Sequence, residues 1–348
     1  MRTNIETLIQ TSGYRPNWAI MLFISALRKI LKGFTRTAVF AVTTKCNCKC
    51  IMCDMHRKQP ESINCEEAFK IIDFLTQNRF LILYLTGGEP TLHPDIIKIL
   101  KYSSKKGLIT SMTTNGTISH NLLLACKEAG LSLLSVSLDH WDTKICEDIR
   151  RHSQISKKQI DAIRYAKKIG LRTHALSFLN PFLLRDGVEN MVRYVNEELG
   201  VPFGFCYPTI CDVNSYRLGG EISEKELLRN LRKGIAMILS LKKRGYEILN
   251  SGTYIEDILN FFNNQPPNFY CRGGQDVFYI DWIGDIYPCF AKPKLFNILK
   301  ERPHFLENIM CNECLTNCFR EPSLFPQLFY PNLIIKEALL HPSKLIFI

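Results

Sequence analysis

The chain has no apolar run long enough to cross a bilayer. Its most apolar stretch, residues 18–27, is about half the length a membrane helix of ~20 residues requires. Arg28, Lys29 and Lys32 follow it at once. The run starts too late for a signal peptide and has no small-residue cleavage site. No phosphate-binding glycine loop and no serine nucleophile elbow occurs, which removes two common enzyme classes. No low-complexity tract is present, and nothing repeats beyond a strand–helix unit, so disordered and solenoid architectures are excluded. Acidic residues are in deficit, 33 against 44 basic ones, for a net charge of +11. The surplus falls in scattered pairs such as Lys105 with Lys106 and Lys242 with Lys243. Such pairs read as solvated helix faces, and no nucleic-acid partner is expected.

What is present decides more. With 348 residues, 46% hydrophobic and 22% charged, the chain can bury one large core plus a smaller appendage. Its 14 cysteines are too many for chance. A disulfide scaffold belongs to short, core-poor secreted chains, and this chain is neither. Several cysteines also stand two or three residues apart, too close to pair with one another. Metal or cluster ligation is the better account.

From residue 38 onward, short apolar runs alternate with helical stretches. Strands are predicted at 39–44, 81–86, 108–113, 131–138, 172–178 and 203–210, with helices near 65–77, 94–106, 119–129, 156–169, 188–199 and 223–243. Ser62, with Glu66 and Glu67 behind it, reads as a helix cap. Six strand–helix units in order imply an α/β fold with a parallel sheet, either doubly wound or an incomplete barrel. In a barrel the loops after the strands build the active site. Cys46 to Cys53 follow the first strand, Gly87 to Pro90 the second and Thr113 to Gly116 the third, while Asp139 ends the fourth. Beyond residue 250 the rhythm stops. A loop at 263–267 precedes a predicted hairpin at 277–282 and 285–287, with Gly284 at the turn, and then cysteines at 311–318.

Cys46, Cys50 and Cys53 form C-x3-C-x2-C, with Cys48 inserted. Three thiolates on one short loop can bind three irons of a 4Fe–4S cubane and leave the fourth open for an inner-sphere reaction. A zinc site using Cys46, Cys48, Cys50 and Cys53, with His56 in reach, is the competing reading, although structural zinc usually takes two separated pairs. The spacing after strand one, joined to Gly87-Gly88-Glu89-Pro90 after strand two, resembles the radical S-adenosylmethionine (SAM) superfamily. That resemblance implies a partial (β/α)6 TIM-type barrel. It also implies reductive cleavage of SAM to a 5′-deoxyadenosyl radical that takes hydrogen from an unactivated carbon, with an electron donor such as ferredoxin or flavodoxin. By the same resemblance Gly87, Gly88 and Glu89 bind the SAM amino group and Met52 lies against the adenine. Thr114, Asn115, Ser137 and Asp139 would reach its ribose or carboxylate. Paired glycines allow a close backbone approach, and a carboxylate suits an ammonium. The rival class is a zinc or iron–sulfur protein without catalysis, which has no need of the Gly-Gly-Glu loop.

Cys271 and Cys289 flank the predicted hairpin, and Cys311, Cys314 and Cys318 follow as C-x2-C-x3-C. This run resembles the SPASM and twitch modules of many radical SAM enzymes, with cysteines enough for one auxiliary 4Fe–4S cluster. Cys271, Cys289, Cys311 and Cys314 are the preferred set, with Cys318 a fifth candidate and zinc a competitor. Three regions are expected: 1–37 as an N-terminal amphipathic helical segment, 38–250 as the radical SAM core and 251–348 as the cluster module and tail. The 37 or so residues before the first strand are too few for a leader-binding domain, which weighs against a peptide substrate. The apolar, basic N-terminus and the apolar tail lean toward a lipid-linked substrate and peripheral membrane contact. A small molecule remains open. An oxygen-sensitive cluster implies a reducing cytoplasm. Tyr207, Cys211, Asp212 and Tyr216 are candidate substrate contacts, whereas Cys65, Cys126, Cys146 and Cys206 read as buried small hydrophobes.

Overall fold

Runs of aliphatic and β-branched residues, each followed by a helix, build consecutive parallel strands. A computed structural model describes residues 28–209 and 228–324, with 211–213, 216–218 and Lys225 between them. Strands β1 (Arg36–Ala41), β2 (Phe80–Thr86), β3 (Ile109–Thr114), β4 (Leu133–Ser137), β5 (Thr173–Phe178) and β6 (Phe203–Cys206) each pair in parallel with the next. The crossovers carry α1 (Cys65–Gln77), α2 (Ile96–Lys105), α3 (His120–Glu128), α4 (Thr143–Arg150), α5 (Ile155–Lys168), α6 (Pro181–Asp186) and α7 (Val188–Arg193). The cap of α1 differs from the expected one. Asn64 accepts from the Glu67 N–H, while the Ser62 hydroxyl pairs with Thr43 Oγ1 at 2.7 Å and ties the loop after β1 to the start of α1.

Alternation along the strands separates two chemistries. One face gives Ala38, Phe40, Leu83, Leu85, Met112, Leu134, Val136, Phe203 and Phe205 to the main core, packed against Ile71, Leu75, Ile99, Leu100 and Ile163 of the helices. Each of the larger of these side chains, fully buried, contributes about 1.5–3 kcal/mol. The other face ends in Thr86, Thr113, Ser137, Leu176, Phe178 and Cys206, which line a cavity. The helix face is thus mainly apolar, and the inner face mixes polar and apolar side chains at the strand ends.

The sheet does not close on itself. It has nine strands in the order β11-β10-β9-β1-β2-β3-β4-β5-β6, so the six-stranded unit is a partial barrel. The expected hairpin forms as β9 (Val277–Ile280) and β10 (Asp285–Tyr287), with β11 (Phe296–Asn297) beyond. It does not stand apart: β9 pairs in parallel with β1, Thr37 to Val277 through Phe40 to Ile280. The helix expected near 223–243 forms as α8 (Leu231–Lys243), and beyond residue 250, where the strand–helix rhythm had seemed to stop, α9 (Gly252–Phe262) packs against it. At the other edge β7 (Cys211–Val213) and β8 (Tyr216–Leu218) form a separate two-stranded sheet. No helix among the described residues is long and apolar enough to cross a membrane. The amphipathic segment expected at 1–37 lies up to residue 27, and the apolar tail beyond residue 324, outside the described residues, as do the side chains of Cys211, Asp212 and Tyr216.

Candidate active site

A cavity of about 240 Å³ opens at the C-terminal ends of the strands, lined by Cys46, Cys50, Cys53, Met52, Glu89 and Arg150 among others. The cysteine loop is clamped from two sides. On one, Gly88 N–H donates to Thr43 O at 2.7 Å and Glu89 N–H to Lys45 O at 2.7 Å. On the other, Lys49 N–H donates to Arg150 O at 3.2 Å and Ile51 N–H to Ile149 O at 3.0 Å, so the last turn of α4 grips the loop. This explains the paired glycines differently from the sequence. A Cβ on Gly87 would stand 2.3 Å from Thr43 O, and one on Gly88 2.3 Å from Lys45 O. The close approach they permit is to the cysteine loop itself.

Glu89 is fully buried. Its Oε1 accepts from Thr91 N–H (3.1 Å), Thr91 Oγ1 (2.6 Å) and Thr114 Oγ1 (2.8 Å), and its Oε2 from Asn115 N–H (2.6 Å). Burial raises its pKa, against the pull of these donors. No cation among the described residues is paired with it. Thr114 and Asn115 line that cavity, but Thr114 spends its hydroxyl on Glu89. The Asn115 amide donates to Asn47 Oδ1 at 2.7 Å and accepts from Thr117. Ser137 and Met52 also face the cavity.

Asp139 does not face it. Its carboxylate is fully buried behind Arg150, 2.5 Å from the guanidinium Nε, and accepts from Phe178 N–H at 3.0 Å. The cavity wall there belongs to Arg150, whose Nη1 lies 3.7 Å from Cys50 Sγ. Burial opposes the guanidinium charge, and Asp139 together with Cys50 outweighs it. Sequence reasoning missed Arg150 because the short helix α4 that aims it was not predicted; Asp142, which caps that helix, was the one available signal. Cys48 also finds a place. It is buried, and its thiol donates toward Cys50, which lowers Cys50 to about 7. Burial pushes Cys46 up to about 11 and Cys53 to about 12.

The second cysteine group forms around Arg320. This fully buried guanidinium binds Asp257 Oδ2 (2.6 Å) on α9, Phe269 O (3.1 Å), Asn312 Oδ1 (2.8 Å) and Cys314 O (3.4 Å). It thereby fixes the loop that carries Cys311 and Cys314. Cys271 and Cys311 exchange backbone hydrogen bonds at 2.9 and 3.1 Å. Cys271 and Cys289 each feel the charges of Cys311 and Cys314, so these four thiols share one locality; burial raises Cys271 to about 12 and Cys289 to about 11. Cys318, a candidate for the same set, packs against the same buried group as Cys271, Cys289 and Cys311 and also borders the central cavity. Carried on α10 (Asn317–Arg320), it lines the central cavity beside Cys206, because the helical turn after Thr316 carries it to the end of β6. Cys206, expected as a plain buried residue, lines the cavity as well. Among the described residues no three His, Cys, Asp or Glu side chains converge on one ion.

Residues 40–195 match the radical SAM superfamily. Those residues, a little under half of the chain, carry a radical SAM domain. Radical SAM proteins use a 4Fe–4S cluster and SAM, and the cavity presents three loop cysteines and a buried carboxylate that fit both. An AdoMet-dependent heme synthase of Methanosarcina barkeri is 22% identical over 77% of this chain and 80% of its own length. An Fe-coproporphyrin III synthase of the same organism is 34% identical, over 33% of this chain and 30% of its own length. A probable GTP 3′,8-cyclase of Sulfurisphaera tokodaii is 30% identical, over 45% of this chain and 50% of its own length. Among solved structures, SuiB of Streptococcus suis bound to its precursor peptide SuiA superposes with a TM-score of 0.62 at 18% identity, covering 83% of this chain and 69% of that one. Native anSMEcpe with bound AdoMet gives 0.57–0.56 across its structures, at 18% identity for the one with AdoMet alone, covering 76% and 78%. At such identities these likenesses are of fold.

Proposed function

We propose that this radical SAM protein cleaves SAM reductively and uses the product radical to take hydrogen from an unactivated carbon of a substrate at the cavity mouth. The observation that carries the reading is the convergence of Cys46, Cys50 and Cys53 with the buried Glu89 in one cavity. Cys46, Cys50 and Cys53 would hold the cluster. When bound, the cluster supplies the electron that breaks the SAM carbon–sulfur bond, giving methionine and a 5′-deoxyadenosyl radical.

The chain's own part is placement. Glu89 offers a desolvated carboxylate to the SAM ammonium, with Thr91, Thr114 and Asn115 fixing its direction. Arg150, anchored by Asp139, offers its free edge to a carboxylate. Met52 supplies an apolar face for the adenine, while Leu176, Phe178 and Phe290 keep water from the remaining wall. Cys271, Cys289, Cys311 and Cys314 would hold one auxiliary 4Fe–4S cluster in an electron role, and a ferredoxin- or flavodoxin-type protein would be the donor. The likeness to tetrapyrrole, nucleotide and peptide enzymes leaves the substrate a small molecule, a lipid-linked compound or a peptide.

The test is anaerobic reconstitution followed by SAM and dithionite, with 5′-deoxyadenosine as the readout. Wild-type protein is expected to form it and Cys53→Ala is not. Iron-loaded wild type that makes none would refute the reading. Iron near eight rather than four per chain would support the auxiliary cluster.

A further inference from the structure

Three thiols in the cavity wall are outside the preferred ligand sets: Cys48, which is hydrogen-bonded to Cys50, and the pair Cys206 and Cys318. Cys206 ends β6 and Cys318 lies in the first turn of α10, and both line the cavity that Cys46, Cys50, Cys53 and Glu89 line. The two segments are tied together: Tyr207 N–H donates to Asn317 Oδ1 at 3.3 Å, and the hydroxyls of Thr209 and Thr316 are 3.0 Å apart. Apart from burial, Cys318 is the strongest influence on Cys206. Cys318 packs against the buried group around Met55 and Tyr279, as do Cys53, Cys289 and Cys311. Within the second cysteine group, Cys271 and Cys289 each feel Cys311 and Cys314.

We propose that Cys318 is a hydrogen-atom donor to a carbon-centred radical formed in this cavity, an inference that rests on the function proposed above. An S–H bond is weaker than an alkyl C–H bond, so transfer from sulfur to carbon runs downhill. The S–H bond breaks, a C–H bond forms, and the unpaired electron passes from carbon to sulfur. One electron from the low-potential donor that serves the cluster, and one proton from water, restore the thiol. The role requires the protonated thiol, not the thiolate that metal ligation or nucleophilic attack would use. Burial raises Cys318 to about 11 and raises Cys206 too, so both carry their hydrogens at neutral pH. A donor in this position makes the net reaction redox-neutral at carbon, as in an epimerisation or a rearrangement, rather than a desaturation.

Thiol hydrogens exchange with solvent and carbon-bound ones do not, so the donor can be found without knowing the substrate. Cluster-loaded protein in D2O, free of added thiols, is given SAM and dithionite, and the deuterium content of each 5′-deoxyadenosine is read by mass spectrometry. Wild type is expected to put deuterium into the product. Cys318→Ser, which keeps a similar shape but offers a stronger O–H bond, is expected to lose the label; Cys318→Ala is the second variant. Unlabelled product from wild type, or undiminished label from both variants, would overturn the proposal. Loss of auxiliary iron in both variants would also overturn it, by returning Cys318 to the cluster. If iron-loaded wild type forms no 5′-deoxyadenosine at all, the function fails and the donor with it, a result distinct from unlabelled product.

Discussion

Glu89 shows what a single residue contributes here. Its carboxylate meets only neutral donors, and burial raises its pKa despite them. A buried carboxylate without a counter-charge costs stability, and an incoming ammonium would recover that cost. Glu89→Gln removes the charge and points an amide N–H at Asn115 N–H or Thr114. It is expected to weaken SAM binding by about ten- to a hundredfold, since hydrogen bonds to charged groups contribute roughly 1.5–3 kcal/mol. Equilibrium dialysis on cluster-loaded protein checks this; unchanged affinity would remove Glu89 from the SAM site. At this scale the sequence was informative about residue types and less so about their contacts. Gly87 and Gly88 could be picked out, but their neighbour is the Thr43–Lys45 backbone. Asp139 ends a strand as expected, yet it acts through Arg150, and that pairing crosses a helix with no strong periodic signal.

At the scale of elements, the hairpin β9–β10 carries a titratable group in an unusual state. Asp281 accepts from Ile283 N–H (3.1 Å), Asp285 N–H (3.0 Å) and Tyr287 Oη (3.0 Å), and Trp282 next to it donates to Glu61 Oε2 at 2.6 Å. Burial nevertheless raises Asp281 to about 6 from an ordinary 3.8. The folded state therefore binds this proton more tightly than the unfolded one. The resulting stability is present in full below the ordinary value and is lost as pH rises through about 6. Asp281→Asn keeps an acceptor and cannot ionise. Urea unfolding should show the wild type losing roughly 2–3 kcal/mol relative to Asp281→Asn between acid and neutral pH. A difference independent of pH would refute the argument. The hairpin was legible from its alternation and Gly284, whereas α4 and α9 were not. The first is short and charged, and the second follows a region whose expected helix ended earlier.

For the whole molecule, the C-terminal segment supplies what the open sheet lacks. It lies beside β1 through β9, and it reaches β6 through Asn317 and through Glu321, which accepts from the Asn250 side chain at 2.9 Å. Both edges of the six-stranded unit are thus attached to one segment, an arrangement that strand-by-strand reading does not reveal because it depends on pairings distant in sequence. Phe278 sits at the junction, fully buried, with its ring 5.4 Å from Phe80 of β2 and 5.4 Å from Phe305. Phe278→Ala is expected to cost about 3–5 kcal/mol and to lower one shared unfolding transition, seen alike by cluster absorbance and by circular dichroism. Two separated transitions would show that the segment folds by itself.

The pairing of β1 with β9 also bears on how the protein is made. β1 leaves the ribosome among the earliest described parts of the chain, while its neighbour β9 is among the last. A growing chain therefore holds the Cys46–Cys53 loop on a strand with one flank bare for most of synthesis. Closing so distant a contact is slow and leaves a strand edge open to wrong partners. Until β9 arrives, one flank of the strand that leads into the Cys46–Cys53 loop has no partner in the sheet.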